Sequence, residues 1–595
     1  MPPRQLERFP NLVTMFFTRA AEKGDAPFLW TKTSGAWVAI SWADAARSVA
    51  ALATALSAIG LKRGDRVMLV SENRPEWCLS DLAIMAAGCI TVPTYVTNTE
   101  RDHLHIIENA GACAIIVSTA KLAKTLLPAV VRSNQAQIVI GLEDMKVPAA
   151  IDFHNWHTLI AAHPTAPAAA AARANFARED LACIIYTSGT GGAPRGVMQH
   201  HGAILHNCAG CASVISEDFG WDDEVFLSFL PLSHAYEHTG GQHFPISLGG
   251  QIYYAEGLEK LAANIEETRP TIMFVVPRLF EVLRTRISKT IEKQGGASAY
   301  LLRQALDIGG KRYAGRLRLI DRPMQAAVAT LFKPKISKKF GGRLKAMISG
   351  GAPLNPEVGL FFEALGLTFL QGYGQTEAAP VISCNRPKAG VRMDSVGPAL
   401  NDTEIRIGDD GEILVRGELV MHGYWRNDAE TAKVLKDGWL HTGDVGELDE
   451  KGRIRITDRK KDLIINDKGE NVAPQKVEGM LTLQPEIVQA MIVGDRRPYM
   501  VALIVPDPEW TQEWCAGNGD ACSFARLAEN SEFRTALGAA VERVNKDLAV
   551  TERIRRFVLA DGPFTIENEQ LTPSLKIRRH VLKQVYGERL DALYA

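Results

Sequence analysis

The run Tyr186-Thr187-Ser188-Gly189-Thr190-Gly191-Gly192-Ala193-Pro194-Arg195-Gly196 packs four glycines and three Ser/Thr hydroxyls into eleven residues. Glycines let backbone N–H groups close on an anion, and the hydroxyls add donors. The composition is that of a phosphate cradle. No Gly-Lys-Ser/Thr closes the run, so it is not a Walker loop. A plain glycine-rich turn is the alternative reading of such a loop taken alone.

The surrounding pattern supplies the scaffold. Apolar residues recur at helical spacing over Trp42 to Leu61. Short buried strands are expected at Arg66 to Val70, Ala114 to Val117 and Leu181 to Tyr186. More follow at Val225 to Leu230, Thr271 to Val276, Leu344 to Ser349 and Thr368 to Gln371. Strands separated by helices predict parallel βαβ units, an α/β fold whose ligands bind beyond the C-terminal ends of the strands. An Ala/Pro-rich stretch, Pro164 to Ala174, is expected to be a surface connection. Beyond Gly397, Asp410-Gly411 and Lys451-Gly452 mark two hairpins. The charged run Asp458-Arg459-Lys460-Lys461-Asp462 is expected to end an N-terminal domain, 1–460, and to begin a small α+β domain, 461–595.

Further segments join the loop in order. They are Leu230-Pro231-Leu232-Ser233-His234-Ala235-Tyr236-Glu237, Ser349-Gly350-Gly351-Ala352-Pro353-Leu354 and Gly372-Tyr373-Gly374-Gln375-Thr376-Glu377. Then come Gly423-Tyr424-Trp425, Gly438-Trp439-Leu440-His441-Thr442-Gly443-Asp444, the charged run and Leu571-Thr572-Pro573-Ser574-Leu575-Lys576. Together they resemble the adenylate-forming superfamily over about Phe28 to Lys583. Gly191 and Arg195 depart from that pattern, where a threonine and a lysine are usual. The first removes a hydroxyl donor, and the second keeps the charge in another geometry.

The resemblance implies a large adenylate-forming domain of stacked α/β subdomains with a small β-barrel-like piece, and a mobile α+β C-terminal domain. It implies that a carboxylate is joined to the α-phosphate of ATP with release of pyrophosphate. Charge neutralisation is then the central problem, since two like charges ~4 Å apart repel by ~4 kcal/mol at an effective dielectric of about 20. Lys576 is implied to reach the carboxylate and α-phosphate oxygens, and His234 to position them without acting as a base. Glu377 and Thr187 are implied to hold Mg²⁺. Thr187, Ser188, Gly189, Thr190 and Arg195 would cradle phosphates, and Gly351, Ala352, Pro353, Gly372, Tyr373, Gly374 and Thr376 would surround the nucleotide. Asp444 would accept the ribose hydroxyls, with Arg459 beside it. Lys461 would be the hinge for a second, thioester-forming conformation, and Gly469 would line the pantetheine passage of CoA. Some long-chain members carry a tryptophan gate where this chain has His238. His238 and His243 by spacing alone do not make a metal site, and Cys208-Ala209-Gly210-Cys211 is expected to pack in the core.

Within the superfamily the resemblance is to long-chain fatty acyl-CoA synthetases, carried by Ser233 to Glu237, by Val276-Pro277-Arg278-Leu279-Phe280-Glu281, and by a long insertion before Ser349. That insertion, 284–345, holds 16 basic and 3 acidic residues, a net +13. A solvated face, an anionic membrane surface, and the phosphates of CoA or an acyl carrier protein all fit it. A fatty acyl-AMP ligase serving a carrier protein, a luciferase-like enzyme and a non-enzymatic lipid-binding protein are the alternatives.

Composition frames these readings. The 595 residues carry 67 basic and 68 acidic side chains, which argues against a whole-molecule grip on nucleic acid. With 46% hydrophobic residues the chain can bury large cores. Nine scattered cysteines fit a reducing compartment. Leu82 to Thr99 is uncharged but broken by Gly88 and Pro93, and is expected to be a helix end followed by a strand. The expectation is a cytoplasmic protein, peripheral at a membrane if the insertion docks.

Overall fold

A computed structural model describes residues 4–187, 193–460, 462–518, 524–572 and 576–595. Two large sheets form the N-terminal part. The first runs, edge to edge, Asp152–Asn155, Ile138–Gly141, Ala112–Val117, Arg66–Val70, Ile90–Thr94, Leu181–Thr187 and Arg195–His200. Its strands are parallel except the last pair, which is antiparallel. Arg66–Val70 shows why it is a central strand. Val67 and Leu69 enter one core, Met68 and Val70 the core on the opposite face, and all four are fully buried. Helices Trp42–Ala58 and Pro75–Ala86 cover the first face, Glu100–Ala110 and Ala120–Ser133 the second.

The second sheet runs Val381–Cys384, Phe369–Gly374, Ala346–Ser349, Ile272–Val275, Val225–Ser228, Gln251–Tyr254, Pro27–Thr33 and Ala36–Ser41. Its interior is parallel and each edge ends in an antiparallel pair. Phe226 and Phe274 share a core with the first sheet and with helix His201–Asp218, so the two sheets sandwich one apolar layer. On the opposite face, Leu227, Met273 and Val275 pack under the insertion. The insertion folds as helices Pro277–Gln294 and Gly296–Tyr313, then a helical run from Arg322 to Lys339 interrupted by a π-turn, Val328–Phe332. Leu302, Ile308, Val328, Phe332 and Ile336 anchor it on Phe361 and Phe362.

The two hairpins form one five-stranded antiparallel sheet of Glu404–Ile407, Glu412–Arg416, Leu435–Lys436, Trp439–Leu448 and Ile454–Arg459. After it, Ile487–Val493, Met500–Pro506 and Ile554–Leu559 form a three-stranded sheet. Helices Pro474–Leu481 and Ser531–Asn545 cover one face and Arg579–Asp591 the other. These C-terminal cores contain residues from 464 onward alone.

One local expectation is corrected. Pro164 to Ala174 contains a helix, Pro167–Arg173, with Ala170 buried; proline at its first position is compatible with a helix start. The glycine-rich loop joins two antiparallel strands, because Arg195–His200 precedes the helix. Among the described residues, a strand and not a helix N-terminus of the P-loop kind follows the run. Cys515 is disulfide-bonded, whereas seven other cysteines are free. Leu82 to Thr99 divides as expected into the end of Pro75–Ala86 and the strand Ile90–Thr94. No helix among the described residues is long and apolar enough to cross a membrane.

Candidate active site

A cleft of about 3420 Å³ opens where the second sheet, the five-stranded sheet and the C-terminal part meet. Thr187, Arg195, His234, Gly351, Ala352, Pro353, Gly372, Tyr373, Gly374, Thr376, Glu377, Asp444, Arg459 and Lys576 all line it. Ser188, Gly189, Thr190, Gly191 and Lys461 lie outside the described residues. Gly469 is not among the cleft residues. It sits in the exposed turn between Ile464–Ile465 and Asn471–Val472, with φ +79°.

The wall is built by close backbone approach. A Cβ on Gly374 would lie 1.8 Å from the Pro380 carbonyl oxygen, so only glycine lets strand Phe369–Gly374 turn there. Gly350 lies against the Tyr236 ring, and a Cβ would meet it at 2.8 Å. The Tyr236 hydroxyl donates to the Ile348 carbonyl at 2.9 Å, tying the His234 segment to the strand before Ser349-Gly350-Gly351.

His234 follows strand Val225–Ser228 and caps a short helix. Its Nδ1 accepts the Tyr236 N–H at 3.1 Å. An accepting Nδ1 puts the proton of a neutral ring on Nε2, making that atom a donor. Burial, with the charge of Lys576, pushes the ring's pKa down to about 4, so it is neutral at pH 7. The next acid, Glu237, turns into the core and accepts Ser228 Oγ at 2.6 Å. Burial pushes its pKa up to about 8.

Asp444 lies at the middle of Trp439–Leu448, just after Gly443 at φ +74°. The Tyr373 hydroxyl donates to Oδ2 at 2.7 Å and Arg459 Nε to Oδ1 at 3.0 Å. Burial raises its pKa, and the Arg459 charge pulls the other way. A carboxylate offers about four lone-pair sites, so two further hydroxyls fit. Tyr373 thus does more than offer a ring face, since it orients Asp444.

Glu377 accepts the Tyr424 hydroxyl at 2.7 Å. Arg195 pairs with Glu430 at 3.0 Å, its guanidinium 4.4 Å from the centre of the Tyr424 ring. The position where the family usually has lysine is therefore fixed by its own carboxylate partner. Tyr424 and Glu430 line the cleft and hold Glu377 and Arg195, a part that sequence reasoning left unassigned. Gly423-Tyr424-Trp425 was a visible signal for the first, and nothing in sequence spacing pointed to the second.

Lys576 arrives from the C-terminal part. Leu571 and Ile577 bridge, and Lys576 N–H donates to Thr572 Oγ at 3.0 Å. The lysine is exposed to the cleft yet enclosed by its walls. That lost solvation, with the Arg459 charge, pushes its pKa down to about 8 against the pull of Asp444 and Glu377. It makes no ion pair among the described residues.

The cleft lining also holds the apolar Phe274, Val214, Ile215, Leu370 and Leu400. Cys211 is part of it too, while Cys208 is buried in the core. One lining thus combines apolar side chains with polar, cation-bearing ones.

Comparison with known proteins bears on the whole chain. The pattern described as AMP-binding enzyme matches residues 16–425, and the AMP-binding enzyme C-terminal domain matches 461–595. Long-chain-fatty-acid–CoA ligase FadD15 of Mycobacterium tuberculosis is 31% identical, over 98% of this chain and 97% of the relative. Long-chain-fatty-acid–CoA ligase 1 of Homo sapiens is 29% identical, over 97% and 84%. Among solved structures, the adenylation domain of a carboxylate reductase from Mycobacterium chelonae superposes with TM-score 0.76 at 23% identity, over 99% and 92%. The anthranilate CoA ligase AuaEII in complex with anthranoyl-AMP does so with TM-score 0.71 at 19% identity, over 98% of each chain.

Proposed function

The chain belongs to the AMP-binding enzyme family, and from that premise we propose that it is an ATP-dependent long-chain fatty acid–CoA ligase. In the first half-reaction a carboxylate oxygen attacks the α-phosphorus of ATP and pyrophosphate leaves. In the second a thiol sulfur attacks the acyl carbonyl and AMP leaves. The observation that carries the reading is the meeting of Lys576 with His234, Glu377, Asp444 and Arg459 in one cleft whose lining also holds apolar side chains. The fatty carboxylate is already ionised at neutral pH, so His234 has no proton to remove. Its Nε2–H instead donates to the carboxylate or an α-phosphate oxygen. Lys576 neutralises the charge that the two anions bring together. Asp444, held by Tyr373 and Arg459, takes the ribose hydroxyls.

Glu377 and Thr187 present hard oxygen donors to the cleft, a donor set that suits Mg²⁺. The ion would be held there and would lower the phosphate charge. We place the hinge at Lys461, the boundary between 460 and 461, and the pantetheine passage along the segment of Gly469. Of the possible acceptors we take CoA; the relatives of full length are named for it.

We place peripheral contact with an anionic membrane on the insertion. Leu319 and Ile320 are 72% and 82% exposed on a turn flanked by Arg316, Arg318 and Arg322. Those arginines, with Lys335, Lys338 and Lys339, are exposed and make no ion pair among the described residues. An apolar tip in a cationic ring suits an anionic bilayer, the phase in which long-chain acids reside.

ATP–pyrophosphate exchange, run with acids of increasing chain length, tests the first half-reaction. Thioester formation with CoA or a holo acyl carrier protein tests the second. Exchange stimulated by long-chain acids and thioester with CoA are expected. Exchange without CoA thioester, with acyl transfer to the carrier, would replace the ligase by an acyl-AMP ligase, and no acid-dependent exchange would overturn the reading.

A further inference from the structure

Away from the cleft, three residues converge in the core between the two large sheets. Asp81 comes from helix Pro75–Ala86, and His238 and His243 from the π-turn His238–His243; all three are fully buried. The π winding matters. Five residues apart, two side chains diverge on an α-helix, but a π-turn brings positions i and i+5 onto one face. The imidazole centroids are 4.6 Å apart.

The facing atoms are His238 Nε2, His243 Nε2 and Asp81 Oδ2. Nitrogen to nitrogen is 3.2 Å. Asp81 Oδ2 is 3.0 Å from His238 Nε2 and 3.5 Å from His243 Nε2. Ligands 2.0–2.1 Å from a tetrahedral ion are about 3.3–3.4 Å from one another. The observed triangle has that size.

Proton bookkeeping points the same way. Two imidazole nitrogens 3.2 Å apart cannot both carry protons toward each other without repulsion. A single proton bridges two of the three atoms at best. His238 Nδ1, 4.0 Å from Cys183 Sγ, has a partner for its own hydrogen, which suits an Nε2 lone pair turned to the centre. Asp81 Oδ1, Gln242 Oε1 and His243 Nδ1 are buried without partners. Gln242 lies beside the triangle, its amide nitrogen 2.6 Å from Asp81 Oδ2. That amide donates to the carboxylate and holds Asp81 in place.

We propose that Asp81, His238 and His243 bind one structural first-row divalent cation, zinc foremost. Two nitrogens and one carboxylate oxygen suit zinc better than calcium or magnesium, which take oxygen ligands. The ion would staple the helix of the first sheet to the turn that begins four residues after His234, fixing the floor under the cleft.

Elemental analysis of the purified full-length protein, dialysed against metal-free buffer, tests this independently of turnover. About one equivalent of zinc per chain is expected, with visible d–d absorption after replacement by Co²⁺. His243→Phe keeps the ring volume, and Asp81→Asn the shape; each should lose the ion and remove the thermal stabilisation that zinc gives the wild type. Wild-type protein from zinc-supplemented medium that holds less than about 0.1 equivalent and shows no zinc-dependent thermal shift overturns the proposal in favour of a shared-proton network. A full equivalent retained by both variants overturns it too, by placing the ion elsewhere.

Discussion

The cleft and the insertion both concentrate cations, and they use them in opposite ways. In and around the cleft, Arg195 pairs with Glu430, Arg459 with Asp444, Lys460 with Asp410 and Glu412, and Arg579 with Glu478. On the outer face of the insertion, the side chains of Arg316, Arg318, Arg322, Lys335, Lys338 and Lys339 make no ion pair among the described residues, although Arg318 N–H donates to Asp321 at 2.9 Å. A paired cation is held in place and holds its partner; an unpaired one is solvated until a ligand arrives. By that criterion Lys576 belongs with the insertion rather than with its neighbours. It is a cleft cation that no carboxylate holds among the described residues, beside the sites of Glu377, Asp444 and His234.

That contrast is tested most severely at Lys576. Lys576→Ala should lower acid-dependent ATP–pyrophosphate exchange by about 10²–10³-fold, the loss expected for one preorganised charge at a reacting centre. Thioester formation from supplied acyl-adenylate should be largely spared, because the proposed hinge at Lys461 would carry that step in a second arrangement of the C-terminal domain. Equal loss in both assays would show that the lysine supports the fold instead of the chemistry.

Much of this was legible in sequence, and the gaps have physical causes. Strands buried on both faces, such as Arg66–Val70, announce themselves by uninterrupted apolar runs. Arg195–His200 does not, since Gln199 and His200 are polar and buried; Gln199 satisfies its amide on the Thr376 carbonyl at 2.7 Å, a partner 177 positions away. The cleft residues were legible by type through the ordered segments, but their partners were not. Tyr424 with Glu377 and Arg195 with Glu430 are long-range pairs that only the folded sheets bring together. His238 and His243 were visible five apart, a spacing that means nothing until the helix is wound as π and Asp81 arrives from 157 positions away.

The same lysine gives a milder test through pH. A group whose pKa is pushed down to about 8 is protonated below that value and loses its charge as pH rises through it. For a reaction that needs the ammonium, kcat/KM for exchange should fall on the alkaline side, about tenfold per pH unit above 8. Lys576→Arg keeps the charge to far higher pH. The variant should therefore lose the alkaline limb even if its rate is lower. An unchanged limb would assign the titration to another group.

The smallest effect is expected where the unpaired cations face solvent. Replacing Leu319 and Ile320 by glutamine removes the apolar tip and leaves every charge in place. Sedimentation with anionic vesicles should weaken by about five- to tenfold, the ~1–1.4 kcal/mol of a partly inserted aliphatic pair. Exchange with a water-soluble medium-chain acid should stay unchanged, since neither residue is near the cleft lining. Arg318→Gln with Arg322→Gln should weaken binding by a similar amount, and more at low salt than at high, because exposed charges are screened over about 8–10 Å. Loss with the charge variants alone would reduce the insertion to an electrostatic patch with no inserted tip. No loss with either pair would leave these cations solvated, and would confine the use of unpaired cations to the cleft.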